Sequence, residues 1–102
     1  MKQIREKQLK ALANSHRLLI MEWLKAPTKN FPPQIDGDLE LDGVCAGKIE
    51  DKLGLAQPTT AQHLKALVDA GFLIPRRIKK WTFYRRDEKV IRKFIKELKK
   101  EV

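Results

Sequence analysis

The stretch VCAGKIEDKLGLAQPTTAQHLKALVDAGFLIPRRIKKWTFYRR, residues 44–86, decides the fold. Ala46 to Leu53 reads as a short helix, and Gly54 supplies the left-handed backbone that ends it. Pro58 falls in the first turn of a second helix, where its missing N–H costs nothing. That helix runs to about Ala70 and stops at Gly71. Thr60, Leu64, Leu67 and Val68 form its inward stripe. Gln57, Pro58, Ala61, Gln62 and Lys65 lie opposite, because residues one and four positions apart share a helix face. Phe72–Arg77 and Trp81–Arg86 then alternate like two strands of a hairpin around Ile78–Lys80. Helix, turn, helix and basic hairpin in that order predict a winged helix-turn-helix, a shape that presents one helix to a DNA major groove.

Working outward, Ile4 to Ala13 is rich in helix formers, with Ile4, Leu9 and Leu12 as its apolar positions. Asn14 or Ser15 is placed to cap a second helix by accepting a backbone N–H. That helix carries Leu18, Leu19, Met21, Trp23 and Leu24 and stops before Pro27. Being apolar on more than one face, it is expected at the centre. Pro27 to Gly43 is a long connector with three prolines and two glycines, of the kind that is usually functional or mobile. Within it Asp36, Asp38, Glu40 and Asp42 alternate with small or apolar residues, and Leu39 and Leu41 give a weak period-two strand signal. After the hairpin, Asp87 caps a last helix with apolar positions Ile91, Phe94, Ile95, Leu98 and Val102, and lysines and arginines on its other side. The expected class is mainly α (α+β): about five helices with a two- or three-stranded β-wing, in a single domain over residues 1–102.

Composition narrows the function. At 102 residues one small core is expected, and dimerisation would add burial. Lys and Arg number 22 against 13 Asp and Glu, a net charge of +9 that suits a polyanionic partner. The charged segment Met1–Lys10 resembles no secretory signal, no run is long enough to span a bilayer, and one cysteine forms no internal disulfide. These point to a reducing cytoplasm with no membrane partner; a prokaryotic, nucleoid-associated setting is expected only from the family resemblance described below. No nucleophile, base and orienting group assemble into an enzyme, and no cofactor is implied.

The candidate DNA contacts follow from side-chain chemistry. Gln57 and Gln62 have amides that bond bidentately to adenine or to phosphates, and Ala61 is small enough to meet a thymine methyl. Thr59 and Lys65 suit phosphates, and Pro58 shares their face. The hairpin carries Arg76, Arg77, Lys79, Lys80, Arg85 and Arg86. The tip pair Lys79 and Lys80 is expected on DNA. Trp81, Phe83 and Tyr84 are expected to pack within the hairpin rather than stack on bases. His16 and His63 read as structural histidines. Cys45 reads as a small buried apolar residue, with a thiol sensor as the sharper alternative. The connector acids lack the Gly and Glu spacing of a calcium loop, so a solvated acidic loop contacting basic helices in a dimer is expected instead.

The run Leu9 to Ile20, LKALANSHRLLI, together with LGLAQPT at residues 53–59, His63-Leu64-Lys65-Ala66-Leu67, Ala70-Gly71-Phe72-Leu73 and the aromatic wing Trp81, Phe83 and Tyr84, resembles the ArsR/SmtB family of repressors. The resemblance implies a homodimer built mainly from the first and last helices, and repression relieved by a metal or another signal. Ile4, Ile91, Phe94, Ile95 and Leu98 are the expected dimer residues, since the last-helix set exceeds what a lone terminal helix exposes. Many metal sensors of that family carry three thiols where this chain has Cys45, Gly47 and Glu50, and others use histidines on the last helix, which here has none. No metal site is therefore expected. Ala56 replaces the family's usual serine, Lys79 its usual wing-tip glycine, and the connector is longer than in typical members. The expected function is sequence-specific repression from a roughly palindromic double-stranded operator, with an unknown effector. Alternatives are a non-specific architectural DNA binder and a winged helix used for protein interaction.

Overall fold

The computed structural model describes the backbone of residues 2–102 and the side chains from Arg5 onward. The elements are α1 (Lys2–Leu12), α2 (Ser15–Lys25), α3 (Pro27–Asn30), β1 (Val44–Cys45), α4 (Ala46–Leu53), α5 (Gln57–Asp69), β2 (Leu73–Ile78), β3 (Trp81–Arg86) and α6 (Glu88–Glu101). This is a winged helix-turn-helix, mainly helical with an antiparallel sheet ordered β1-β3-β2. Among the described residues no helix is long and apolar enough to cross a membrane.

Local chemistry accounts for most element ends. The Asn14 side chain, on extended backbone, accepts the N–H groups of His16 and Arg17 at 3.0 and 3.2 Å, so Asn14 rather than Ser15 caps α2. Asp87 accepts the Val90 N–H at 3.2 Å and opens α6. Gly54, at φ 71°, closes α4. Past α5, the Phe72 N–H reaches back to the Leu67 carbonyl at 3.0 Å and the Gly71 N–H to Val68 at 2.9 Å, a Schellman-type stop. The hairpin pairs Leu73 with Arg86 through Ile78 with Trp81, leaving Lys79 and Lys80 as the tip. Pro75 is tolerated because β2 is an edge strand.

The main core gathers Ile20, Leu24, Val44, Ile49, Leu64, Leu67, Phe72, Leu73, Ile91 and Phe94, with Phe72 and Phe94 edge to face at 5.2 Å. Tyr84 packs against this core, so its neighbour Phe83 points to the other face of β3. Phe83 is nevertheless only 1 % exposed, because residues of the connector cover that outer face.

Four sequence expectations change here. To the about five helices expected, Pro27–Asn30 adds a sixth, a single extra turn started by its proline. No strand forms around Leu39 and Leu41. The Asp38 carboxylate instead takes the N–H groups of Glu40 and Leu41, both at 2.9 Å, and its carbonyl accepts from Asp42 and Gly43, so the chain turns back. The central α2 buries Ile20, Met21 and Leu24 but leaves Leu18 and Leu19 exposed at 52 % and 39 %. The connector does not float but docks on the sheet, and its Phe31 ring reaches α4, 5.7 Å from Lys52 Nζ. The Gln34 amide donates to the Gly43 carbonyl at 2.7 Å and accepts the Cys45 N–H at 3.1 Å. Side chains are excluded at two contact points: a Cβ would stand 3.0 Å from the Phe83 ring at Gly37 and 2.3 Å from the Tyr84 carbonyl oxygen at Gly43.

Candidate nucleic-acid interface

Helix α5 separates its two faces as its periodicity demands. Thr60, Leu64 and Leu67 are buried and Val68 is half-buried, while Gln57, Pro58, Thr59, Ala61, Gln62 and Lys65 are all exposed. With Ala56 at the N-cap, no side chain among the described residues caps the helix start. Inside, the Thr60 hydroxyl is buried without a hydrogen-bond partner among the described residues. Lys65 is less free than its exposure suggests, because its ammonium pairs with Asp69 at 2.8 Å one turn on. That hydrogen bond holds the Asp69 carboxyl below the usual carboxylate range.

The wing is more heavily engaged. Lys79 Nζ lies 3.0 Å from Asp36 Oδ1, and Arg76 Nη1 lies 3.0 Å from Asp42 Oδ1. Lys80 Nζ sits 5.2 Å above the Trp81 ring. Trp81 itself is 46 % exposed, which corrects the expectation that all three wing aromatics pack inside the hairpin; Phe83 is buried and Tyr84 half-buried as expected. Arg86 turns inward, donating to the Met21 carbonyl at 3.1 Å and to Glu88 at 2.8 and 3.0 Å, so it braces α2 and α6 against the sheet. At the tip Lys79 holds φ 57°, in the left-handed region where glycine is favoured.

Behind α5, two histidines far apart in sequence meet. The His16 and His63 rings are 5.5 Å apart, and Arg17 Nε donates to His63 Nδ1 at 3.1 Å. Arg17 Nη1 also approaches the Lys10 and Ala11 carbonyls at 3.4 Å, tying α5 to the end of α1. Burial, then the Arg17 charge, then His16, push the His63 pKa below its usual value, consistent with a neutral ring that accepts from Arg17. His63 thus joins α5 to α2 through Arg17, with the His16 ring beside it. Their meeting has no sequence signature.

Cys45 departs from the buried apolar reading. It is half-buried rather than buried and lines a cavity of about 430 Å³ with Pro33, Gln34, Lys48, Trp81 and Phe83. Among the described residues no three His, Cys, Asp or Glu side chains are grouped to hold a metal ion, and Gly47 and Glu50 stand where metal sensors of the resembled kind carry thiols.

The expected dimer residues divide. Ile91 and Phe94 are buried at 7 % and 6 % in the chain's own core, which removes them from any exposed patch. Leu98 is half-buried against that core, and Ile95 is half-exposed at 50 %. The Ile4 side chain lies outside the described residues. Sequence reasoning missed Leu9, exposed on α1, and Leu18 and Leu19 on α2, although apolar residues on more than one face of α2 were the signal. Arg5 of α1 pairs with Glu97 at 3.9 Å and with Glu101, so the start of α1 is tied to the end of α6.

Comparison with known proteins bears on this surface. The model for bacterial regulatory proteins of the arsR family matches residues 42–74, the span from the connector's end through α4 and α5 into β2. The chain is 44 % identical over 93 residues to the uncharacterized HTH-type transcriptional regulator YbzH of Bacillus subtilis (strain 168), covering 91 % of this chain and 93 % of that protein. Among solved structures it is similar to the homodimeric winged helix-turn-helix DNA-binding domain Mb0332 from Mycobacterium bovis. There the TM-score is 0.68 and the identity 25 %, over 98 % of this chain and 82 % of that one. HlyU from Vibrio cholerae N16961 matches with a TM-score of 0.63 and 25 % identity, over 91 % of this chain and 86 % of that one.

Proposed function

The chain belongs to the ArsR family of bacterial regulatory proteins and is a helix-turn-helix transcriptional regulator; from that premise we propose that it acts as a homodimeric repressor on a roughly palindromic operator. Residues 1–102 serve as one DNA-binding and dimerisation domain. Gln57 and Gln62 read base edges in the major groove, Ala61 allows close approach, and Pro58, Thr59 and Lys65 meet the backbone. Lys79 and Lys80 carry general affinity from the wing. The protein works in the cytoplasm, at the nucleoid. One observation carries this reading: the outer face of α5 is wholly exposed from Gln57 to Lys65 and carries the polar side chains of Gln57, Thr59, Gln62 and Lys65.

Dimerisation uses Ile95 and Leu98 with the exposed Leu9 of α1, a solved homodimeric relative of the same fold supporting that assembly. Its signal acts through the region Pro27–Cys45, where the connector, Cys45 and the wing surround a cavity. No response to zinc or cadmium is expected, because Cys45 is the chain's one cysteine and α6 carries no histidine.

The test is selection of bound fragments from the host genome, with sedimentation at micromolar concentration. A recovered palindromic motif and twice the chain mass are expected. Uniform recovery with strong salt dependence would make the protein an architectural binder instead, and a clean monomer would end the dimer.

A further inference from the structure

The connector does more than cover Phe83. Arg76 stands opposite Phe83 in the β2–β3 register, so its side chain leaves the sheet on the face the connector covers. There the connector meets the wing's cations with two carboxylates, Asp42 on Arg76 and Asp36 on Lys79. The partners differ in freedom. The acids are largely enclosed, with side-chain exposures of 17 % for Asp42 and 29 % for Asp36, whereas Arg76 and Lys79 are 60 % and 71 % exposed. Asp42 is further held because its second oxygen accepts the Asp38 N–H at 2.7 Å. Gln34 pins the segment at Gly43 and Cys45. The carboxylates are fixed in a docked strap, and the cations are the ends that swing.

We propose that Asp36 and Asp42 set the affinity for DNA by holding Lys79 and Arg76 in the free protein, as intramolecular stand-ins for phosphate. This rests on the reading of the wing as a DNA contact. A lysine that meets phosphate by leaving a carboxylate gains only the difference between two ion pairs. The stranded carboxylate also takes up a cation from solution, so fewer counterions are released overall. The competition weakens binding to every duplex alike, since the wing tip contacts backbone rather than bases. It thereby leaves a larger share of the affinity to the face of α5.

The experiment uses the full chain and a fluorescent random-sequence duplex over a salt series. Asp36→Asn is compared with Glu40→Gln, an equal charge change in the same connector at a residue with no ion pair among the described residues. Asp36→Asn should bind roughly two- to five-fold more tightly than wild type, the scale of an exposed ion pair. Its salt dependence should steepen by up to about one unit of slope. In a Lys79→Gln background the same change should yield no gain beyond that of Glu40→Gln. If Asp36→Asn and Glu40→Gln act alike, or if the gain survives Lys79→Gln, net charge is responsible and the competition is overturned. If wild type binds no duplex at low salt while its wing ion pair still slows acylation of the Lys79 amine, the DNA reading has failed and the proposal falls with it.

Discussion

The outer face of α5 and the wing are both polar, exposed and rich in donors, yet the chain treats them differently. No side chain outside α5 pairs with Gln57, Gln62 or Thr59 among the described residues, and the helix start is left without a side-chain cap. On the wing, by contrast, Arg76 and Lys79 hold connector carboxylates and Lys80 lies over Trp81. A surface that reads sequence gains from being unoccupied, because each of its hydrogen bonds then discriminates in full. A surface that supplies only charge is useful even when its cations are partly satisfied. On the proposed reading, base reading and general attraction fall to separate elements, and the protein restrains the second more, since on the outer face of α5 only Lys65 is paired among the described residues, with Asp69.

The strongest way to break the comparison is to undock the connector. Phe83→Ala removes the ring on which Gly37 rests and should destabilise the fold by about 3–5 kcal/mol, the usual loss for a buried phenylalanine. Thermal or denaturant unfolding would measure it. A loss below about 1 kcal/mol, which is surface-like, would mean that the connector does not bury this face.

Next in size is Gln62→Ala, which should cost about 1–3 kcal/mol on a selected operator and little on random duplex. Equal losses on both would place Gln62 among the backbone contacts and erase the division between helix and wing. A smaller effect tests the tip. Lys79→Gly and Lys79→Ala both remove the ammonium and its pair with Asp36, so their difference reports the backbone alone. The glycine variant should be more stable by about 1 kcal/mol, because only glycine adopts positive φ without strain. Both should bind random duplex more weakly than wild type and to the same degree.

The smallest effect concerns what holds α5 in place. The His63 pKa is lowered in the folded chain, so the unfolded state binds the proton more readily. The stability due to neutral His63 is therefore complete above the unfolded value near 6.5 and is lost as pH falls from there through the lowered folded value. The melting temperature should drop modestly across that window, and His63→Gln, which keeps an acceptor but not the titration, should flatten the drop. An unchanged profile in the variant would assign the acid sensitivity elsewhere.

Much of the recognition unit was legible because its determinants are local. Gly54, Pro58 and the stripe Thr60, Leu64 and Leu67 define α4, the turn and α5 within a few residues of one another, and their observed bounds match. The dimer residues were legible only as a set. An amphipathic stripe on α6 marks an apolar face, but Ile91 and Phe94 are used by the chain's own core and Ile95 is not, a division that depends on where α5 and the sheet end.

Sequence alone therefore determined five of the six helices described, the Asp87 cap, the hairpin and the outward face of α5, since helical and strand periods and side-chain capping act over a handful of residues. The connector was decided only by tertiary structure. Its alternating acids suggested a strand, yet Asp38 folds it into a turn, Gln34 ties it to Gly43 and Cys45, and Asp36 meets Lys79 from 43 residues away. Ion pairs and close glycine contacts of that range have no period to read. They exist only once the sheet has brought Phe83 and the wing beneath the passing chain.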